Sequence, residues 1–519
     1  MRNYVCNNTD TVVNTPKGKI RGFKLDGIYN FEGIKYANAK RWQMPEEVPA
    51  WEGIKDALAY GYVCPLQNQD NPTNEQLVPH RYWPQDENCQ SLNIWTKQIN
   101  TDAKKPVLVW FHGGGFAAGS SIEQVAYDGQ AMCENGDVVV VTVNHRLNIL
   151  GYFDMSPFGE KYKNSGNVGT ADMVASLQWV HDNIAAFGGD PENVTIFGQS
   201  GGGAKVWVLM NTPAADGLFQ KGVVQSGLLD VQGRRFFDVA PGDGKEIVLA
   251  VLKELGLTEA DVDKLETMPY RDLAAAYGKV MMPLAVQGKY VGGNPQPGEY
   301  YKGDPRSVGF TDHAKTIPVM IGTVFGEFAF GPTQPGRHTM SDEEATKIIR
   351  DKFGDATDEM IPLYKKAYPD KPLVDLAVLD SWFRLPSMDF IDKKSYHHEA
   401  PTYSYLFAYE FPYEEGKPAW HCSEIPFVFH NTDLVPVCCK EGVSDKLEAN
   451  VFGAWISFAK TGKPGHAGLP DWPACVDGDE ATMIFDEKCE VRHNHDHALI
   501  PLVDKNAKPF EFGKQKIEH

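Results

Sequence analysis

The sequence predicts an α/β fold: a large, mostly parallel central sheet flanked by helices, with helical insertions over the sheet. Three observations carry that expectation. Short β-rich segments alternate with amphipathic helical ones through most of the 519 residues. Two β-rich segments, "VLVWFH" (Val107 to His112) and "DVVVVTVN" (Asp137 to Asn144), are nearly continuous apolar runs. Such runs mark strands covered on both faces. The third is "VTIFGQSGGGAK" (Val194 to Lys205), where a β-rich run meets glycines and then a helical stretch.

The elements follow in chain order. An antiparallel entry is expected from "KIRGFKL" (19–25), "IYNFEGI" (28–34) and "SLNIWTK" (Ser91 to Lys97), ahead of the two buried strands. A helix from about Asp172 to Phe187 is read from Val174, Leu177, Val180, Ile184 and Phe187, which recur at three- and four-residue steps. "GGDPEN" (Gly188 to Asn193) supplies a glycine stop and a turn. Strands then recur at "NVTIFG", "KGVVQSG" (Lys221 to Gly227), "PVMIGT" (Pro318 to Thr323) and "TYSYLFAY" (Thr402 to Tyr409). Residues 245–364 and 375–394 read as mainly helical, interrupted by Pro/Gly-rich loops. Without internal repeat or low-complexity linker, residues 1–519 are expected to form a single domain.

Composition narrows the function classes. A formal net charge of −19 argues against a nucleic-acid partner, which calls for a basic face. No run approaches the roughly 18 apolar residues of a membrane span. "MRNYVCNNTDTVV" lacks the apolar core of a secretory signal. The nine cysteines are odd in number and sparse for a disulfide scaffold. A cytoplasmic protein with reduced thiols is the expectation.

The chemistry centres on Ser200. A strand that turns directly into a helix forces its apex residue into a strained backbone and lifts that side chain above the sheet. Gly198-Gln199-Ser200-Gly201-Gly202 is such a turn, of the G-x-S-x-G kind. The helix start adds free N–H groups and a positive dipole end beside the hydroxyl. In "VLVWFHGGGFAAGS", Gly113-Gly114-Gly115 follow a buried strand. Consecutive glycines let N–H groups converge on one point, so Gly114, Gly115 and Gly201 are the expected oxyanion donors.

A serine hydroxyl needs a base, and the base needs a carboxylate to fix its tautomer. In Ser-acid-His order, Glu327 in "PVMIGTVFGEFAFG" and His421 in "KPAWHCSEIPFVFHN" both follow predicted strands. Asp389 stays open as an acid on spacing alone. His338, His397, His398 and His430 read as surface or core residues. So do His493, His495 and His497 of "HNHDH", which lack a fixed second ligand set for a metal. No cofactor motif is present. Phe116, Phe325, Phe328 and Trp207 are candidates for an aromatic pocket wall.

On these residues the chain resembles the type-B carboxylesterase and cholinesterase family of α/β hydrolases, bacterial carboxylesterases in particular. "FEGIKYANAKRWQMP", "ENCQSLNIW" (Glu87 to Trp95), "NHRLNILGYF" and "GNVGTADMVASLQWVHDNIAAFGGDPENVTIFGQSGGG" carry the likeness. The resemblance implies a Ser200–Glu327–His421 triad, with Ser226 of "QSG" hydrogen-bonding the acid. Several positions depart from the family. Gln199 stands where cholinesterases carry glutamate, Gly201 replaces the usual alanine and Phe328 the glycine after the acid. Thr170 and Met173 replace Leu and Gln. Trp83 lies between Cys64 and Cys89, where cholinesterases place a choline-binding tryptophan, but at a different offset, so choline esters are not implied. Secreted relatives bridge those two cysteines; here both are expected reduced. The implied activity is cofactor-free hydrolysis of small carboxylic esters, with the histidine neutral when it acts as base. Amides, thioesters or lactones would use the same machinery. A catalytically silent scaffold is the remaining alternative.

Overall fold

Twelve strands hydrogen-bond into one sheet in the computed structural model, which describes residues 2–66, 77–231 and 234–507. In chain order they are β1 (Tyr4–Val5), β2 (Phe23–Leu25), β3 (Ile28–Lys35), β4 (Ser91–Thr96), β5 (Lys105–Phe111) and β6 (Val139–Val143). Then come β7 (Gly189–Gln199), β8 (Lys221–Gln225), β9 (Val319–Val324), β10 (Thr402–Phe407), β11 (Ala481–Phe485) and β12 (Glu490–His493). Their spatial order is β1-β2-β3-β4-β6-β5-β7-β8-β9-β10-β11-β12. From β6 to β11 every pairing is parallel, and the flanking strands pair antiparallel.

Alternation along the strands shows why they are apolar throughout. Leu108 and Trp110 of β5 enter one core, while Val107, Val109 and Phe111 enter another. Phe197 of β7 and Met320 of β9 join the first; Val194, Ile196, Val319 and Ile321 join the second. Side chains point alternately up and down, and both faces are covered, so neither set is polar. On the second face pack α1 (Val168–Asn183) and α2 (Gly201–Met210), the latter buried along its whole length. Asp172 of α1 holds the buried Arg146 guanidinium through two bonds of 2.8 and 2.6 Å.

The expected elements shift in instructive places. "KIRGFKL" divides at Gly22: residues 18–21 pair with Val12–Thr15 and Ile54–Asp56 in a separate small sheet, and only β2 joins the large one. Helix α1 starts four residues early, and a 3₁₀ turn (Ile184–Phe187) completes the predicted span. Gly188 ends that turn at φ 78° as expected. The predicted turn after it lies inside β7: pairing to β5 jumps from Lys105–Gly189 to Val107–Val194, so residues 190–193 bulge outward. Strand β9 is the strand expected at "PVMIGT", a central one set between helical stretches. Strands β11 and β12 and the helix α3 (Ser444–Thr461) lie outside the segments that the sequence marks as strand or helix. Among the described residues, no helix is long and apolar enough to cross a membrane.

Candidate active site

Ser200 and Glu327 lie just past the carboxyl ends of the parallel strands β7 and β9, and His421 lies in the longer connection after β10, the end of the sheet where open α/β folds carry their sites. Ser200 follows β7 and begins α2. Its φ of 59° and ψ of −126° are strained values for a residue with a side chain, costing about 1–3 kcal/mol. The turn is held because Ser200 N–H donates to the Gln225 carbonyl (2.8 Å) and its own carbonyl accepts from Ala204 N–H (3.0 Å). A glycine at 202 is required by close approach: a Cβ there would lie 2.0 Å from the Phe111 carbonyl oxygen.

The His112–Gly115 loop follows β5. Gly114 and Gly115 adopt φ of 82° and 62°, values open to glycine. The Gly114 carbonyl turns back to accept from Ala117 and Ala118 N–H groups at 3.2 and 3.0 Å. This loop presses against the serine turn so closely that a Cβ on Gly201 would lie 2.3 Å from Gly115 Cα. The three expected N–H donors thus come from two segments in direct contact.

Glu327 and His421 meet over a sequence gap of 94 residues. Glu327 Oε2 is 2.5 Å from His421 Nδ1, and the His421 backbone N–H donates to the Glu327 carbonyl at 2.6 Å. Glu327 Oε1 accepts from Ser226 Oγ (2.6 Å) and from Val324 N–H (3.0 Å). Fully buried, the carboxylate is therefore hydrogen-bonded at both oxygens, which a buried charge requires. With Nδ1 occupied by the acid, Nε2 is the nitrogen left for the serine proton. No hydrogen bond joins Ser200 Oγ to His421 in this structure; such contacts commonly tighten only with substrate.

The surroundings of His421 went unread in the sequence. The Gln199 amide nitrogen lies 3.3 and 3.4 Å from the two ring nitrogens, on the axis of neither lone pair. The Cys422 thiol donates to Gln199 Oε1 (3.1 Å) and orients that amide. Burial pushes this thiol well up, so it remains a donor. The rings of Phe383 and Phe328 tilt against the imidazole at 5.0 and 5.8 Å. Asp380 sits behind the acid and accepts from the N–H groups of Trp382, Phe383 and Arg384 at 3.1, 3.0 and 2.9 Å. Burial, then the neighbouring Glu327, pushes its carboxyl well up.

Glu424, three residues past His421, is also fully buried; it accepts from Gln225 Nε2 at 3.2 Å. Burial and then Glu327 push it up to about 7 from 4.5. Between those values the native state holds a proton that the unfolded chain releases, so stability falls as pH rises from about 4.5 through 7. The loss amounts to about 3 kcal/mol. Glu424→Gln is expected to remove it. Denaturant unfolding should show the variant gaining on wild type by that amount between pH 4.5 and 8; an unchanged difference would contradict the assignment.

The aromatic candidates divide. Phe328 packs on the imidazole, whereas Phe325 is a core residue edge-on to Tyr368. The acid loop sends these two rings in different directions, so bracketing the acid in sequence does not make both of them wall. Phe116 is buried against Tyr152 and Phe237; Trp207 also meets Phe237 and donates to the Gly227 carbonyl. Trp83 is surface-exposed, packed on Tyr60 and bonded to its carbonyl. Asp389 pairs with Lys393 within the helix Arg384–Tyr396. His493 pairs with Asp479 and His497 with Glu480. Cys64 and Cys89 are free thiols packed with Leu147 and Leu150.

The sheet order, the serine turn and the glycine loop invite comparison with known proteins. The carboxylesterase family profile matches residues 9–499. The chain belongs to the carboxylesterase family. Para-nitrobenzyl esterase of Bacillus subtilis (strain 168) is 32% identical over 498 residues, 94% of this chain and 97% of that protein. Phenmedipham hydrolase of Pseudarthrobacter oxydans is 30% identical over 510 residues, 93% and 97% of the two chains. Among solved structures, an esterase from anaerobic Clostridium hathewayi, described as able to hydrolyse aliphatic aromatic polyesters, superposes with a TM-score of 0.94. It is 53% identical and covers 98% of this chain and 100% of its own. This carboxylesterase thus has the α/β-hydrolase fold and is a carboxylic ester hydrolase.

Proposed function

We propose that the carboxylesterase works through a Ser200–Glu327–His421 triad and an acyl-enzyme, in one catalytic domain spanning the chain. The observation that supports this most is the Glu327–His421 pair, whose acid holds Nδ1 and leaves Nε2 as the free base position. His421 Nε2 takes the Ser200 proton as Oγ bonds to the acyl carbon. The oxyanion formed is met by the N–H groups of Gly114, Gly115 and Gly201. The imidazolium is stabilised by Glu327 and by the nearby faces of Phe383 and Phe328. It then protonates the leaving alcohol as the C–O bond breaks. Water, deprotonated by the same nitrogen, attacks the acyl carbon and releases the acid, restoring Ser200.

An aromatic acyl group suits the residues beside the glycine loop. A Cβ on Gly115 would stand 4.0 Å from the Phe237 ring, which stacks edge-on with Phe116 and Phe236. The polyester activity described for the Clostridium hathewayi esterase fits the same preference. Partitioning tests the acyl-enzyme: benzoyl esters of different alcohols, hydrolysed with added methanol, are expected to give one ratio of benzoate to methyl benzoate. A ratio that follows the leaving alcohol would contradict a common intermediate.

A further inference from the structure

Lys205 is the one charged residue of α2, whose sequence GGGAKVWVLM is otherwise glycine and apolar side chains. It has no exposed surface. Its Nζ donates to the backbone carbonyl of His112 at 2.7 Å, and among the described residues no carboxylate lies within ion-pair distance. An ammonium buried without a counter-ion is destabilising. Burial lowers Lys205 to about 7 from 10.5, with Glu123 and Cys64 opposing the shift from a distance.

The place of that hydrogen bond gives the lysine a use. His112 opens the glycine loop, and the Lys205 stem leaves the first turns of α2. These two segments carry the expected oxyanion donors, Gly114 and Gly115 on one and Gly201 on the other. One side chain therefore ties the two segments together, alongside the close approach of Gly202 to Phe111 and His112 and of Gly201 to Gly115. The other titratable neighbours are His112 and His145, stacked at 5.2 Å. Both are held well below the usual histidine range by burial, then by Lys205, so they add no charge of their own.

We propose that Lys205 is a positioning residue of the oxyanion hole, clamping the His112–Gly115 loop to the nucleophile turn. This rests on the oxyanion-hole reading above. A hydrogen bond to the His112 carbonyl also polarises that peptide, which strengthens its N–H as a donor to whatever lies beyond.

The test compares wild type with Lys205→Met, which keeps length without charge, and Lys205→Arg, which keeps cation and donor. The readouts are kcat and KM for p-nitrophenyl butyrate and inhibition by an aryl trifluoromethyl ketone, whose serine adduct carries the oxyanion. In Lys205→Met, kcat is expected to fall about 10–100-fold with KM within about threefold, and ketone affinity to fall in parallel; Lys205→Arg recovers most of both. A purely structural lysine would lower thermal stability without this split. If the methionine variant does not fold, Lys205→Leu carries the same readouts. A folded variant lacking the charge, with kcat and ketone affinity within about twofold of wild type, overturns the proposal alone. A wild type that the ketone does not inhibit overturns the oxyanion-hole reading with it.

Discussion

His421→Ala is expected to lower kcat/KM for a p-nitrophenyl ester by about 10⁵-fold. The size follows from the way triad members act as a unit. Without the imidazole the Ser200 hydroxyl keeps its proton, and what remains is the N–H donors and binding, worth about 10³–10⁴ over water. The variant should still fold. Glu327 loses one partner but keeps the Ser226 hydroxyl and the Val324 N–H. Ester hydrolysis measured over several hours, with circular dichroism to confirm folding, checks both points. A folded variant within about 100-fold of wild type would place the base elsewhere.

Gly201→Ala carries the second-largest expected effect, although it restores the residue usual in the resembled family. The added methyl would lie 2.3 Å from Gly115 Cα and from the Gly115 carbonyl oxygen, and 2.4 Å from its nitrogen. These are backbone atoms, so a rotamer change cannot relieve the contact; the glycine loop or the serine turn has to move. Either movement pulls apart donors that must converge within hydrogen-bond distance of one oxygen. Losing one such donor costs about 3–4 kcal/mol of transition-state stabilisation. A fall in kcat of about 10²–10³-fold, with KM little changed, is therefore expected from steady-state kinetics. A fully active Gly201→Ala would show that the two segments are not pressed together in solution.

The fold class is legible in the sequence because the central strands are covered on both faces. Val107 to Phe111 and Val139 to Val143 need apolar residues at every position, which leaves an unbroken run to read. Edge strands such as β12, with Glu490 and Arg492, are half-exposed and give no such signal. The proposed order of serine, acid and histidine also rests on legible signals, since each residue stands past a recognisable strand or within a short pattern. Contacts around the imidazole were not. Gln199 and His421 are 222 positions apart, and only the folded sheet brings them together. Phe383 reaches the ring from the turn just before the helix Arg384–Tyr396, a position that carries no sequence signature. Lys205 left a trace, a lone lysine in an apolar helix beside the nucleophile, but its partner is a backbone carbonyl, which carries no sequence signature at all.

The account rests on an activated Ser200. Intact-mass and peptide mass spectrometry after treatment with a fluorophosphonate tests it most directly, with Ser200→Ala alongside. One adduct per chain, on Ser200 and absent from the variant, is the predicted result. A folded protein that takes no adduct, or takes it on another residue with equal yield in Ser200→Ala, would contradict the triad assigned to this carboxylesterase.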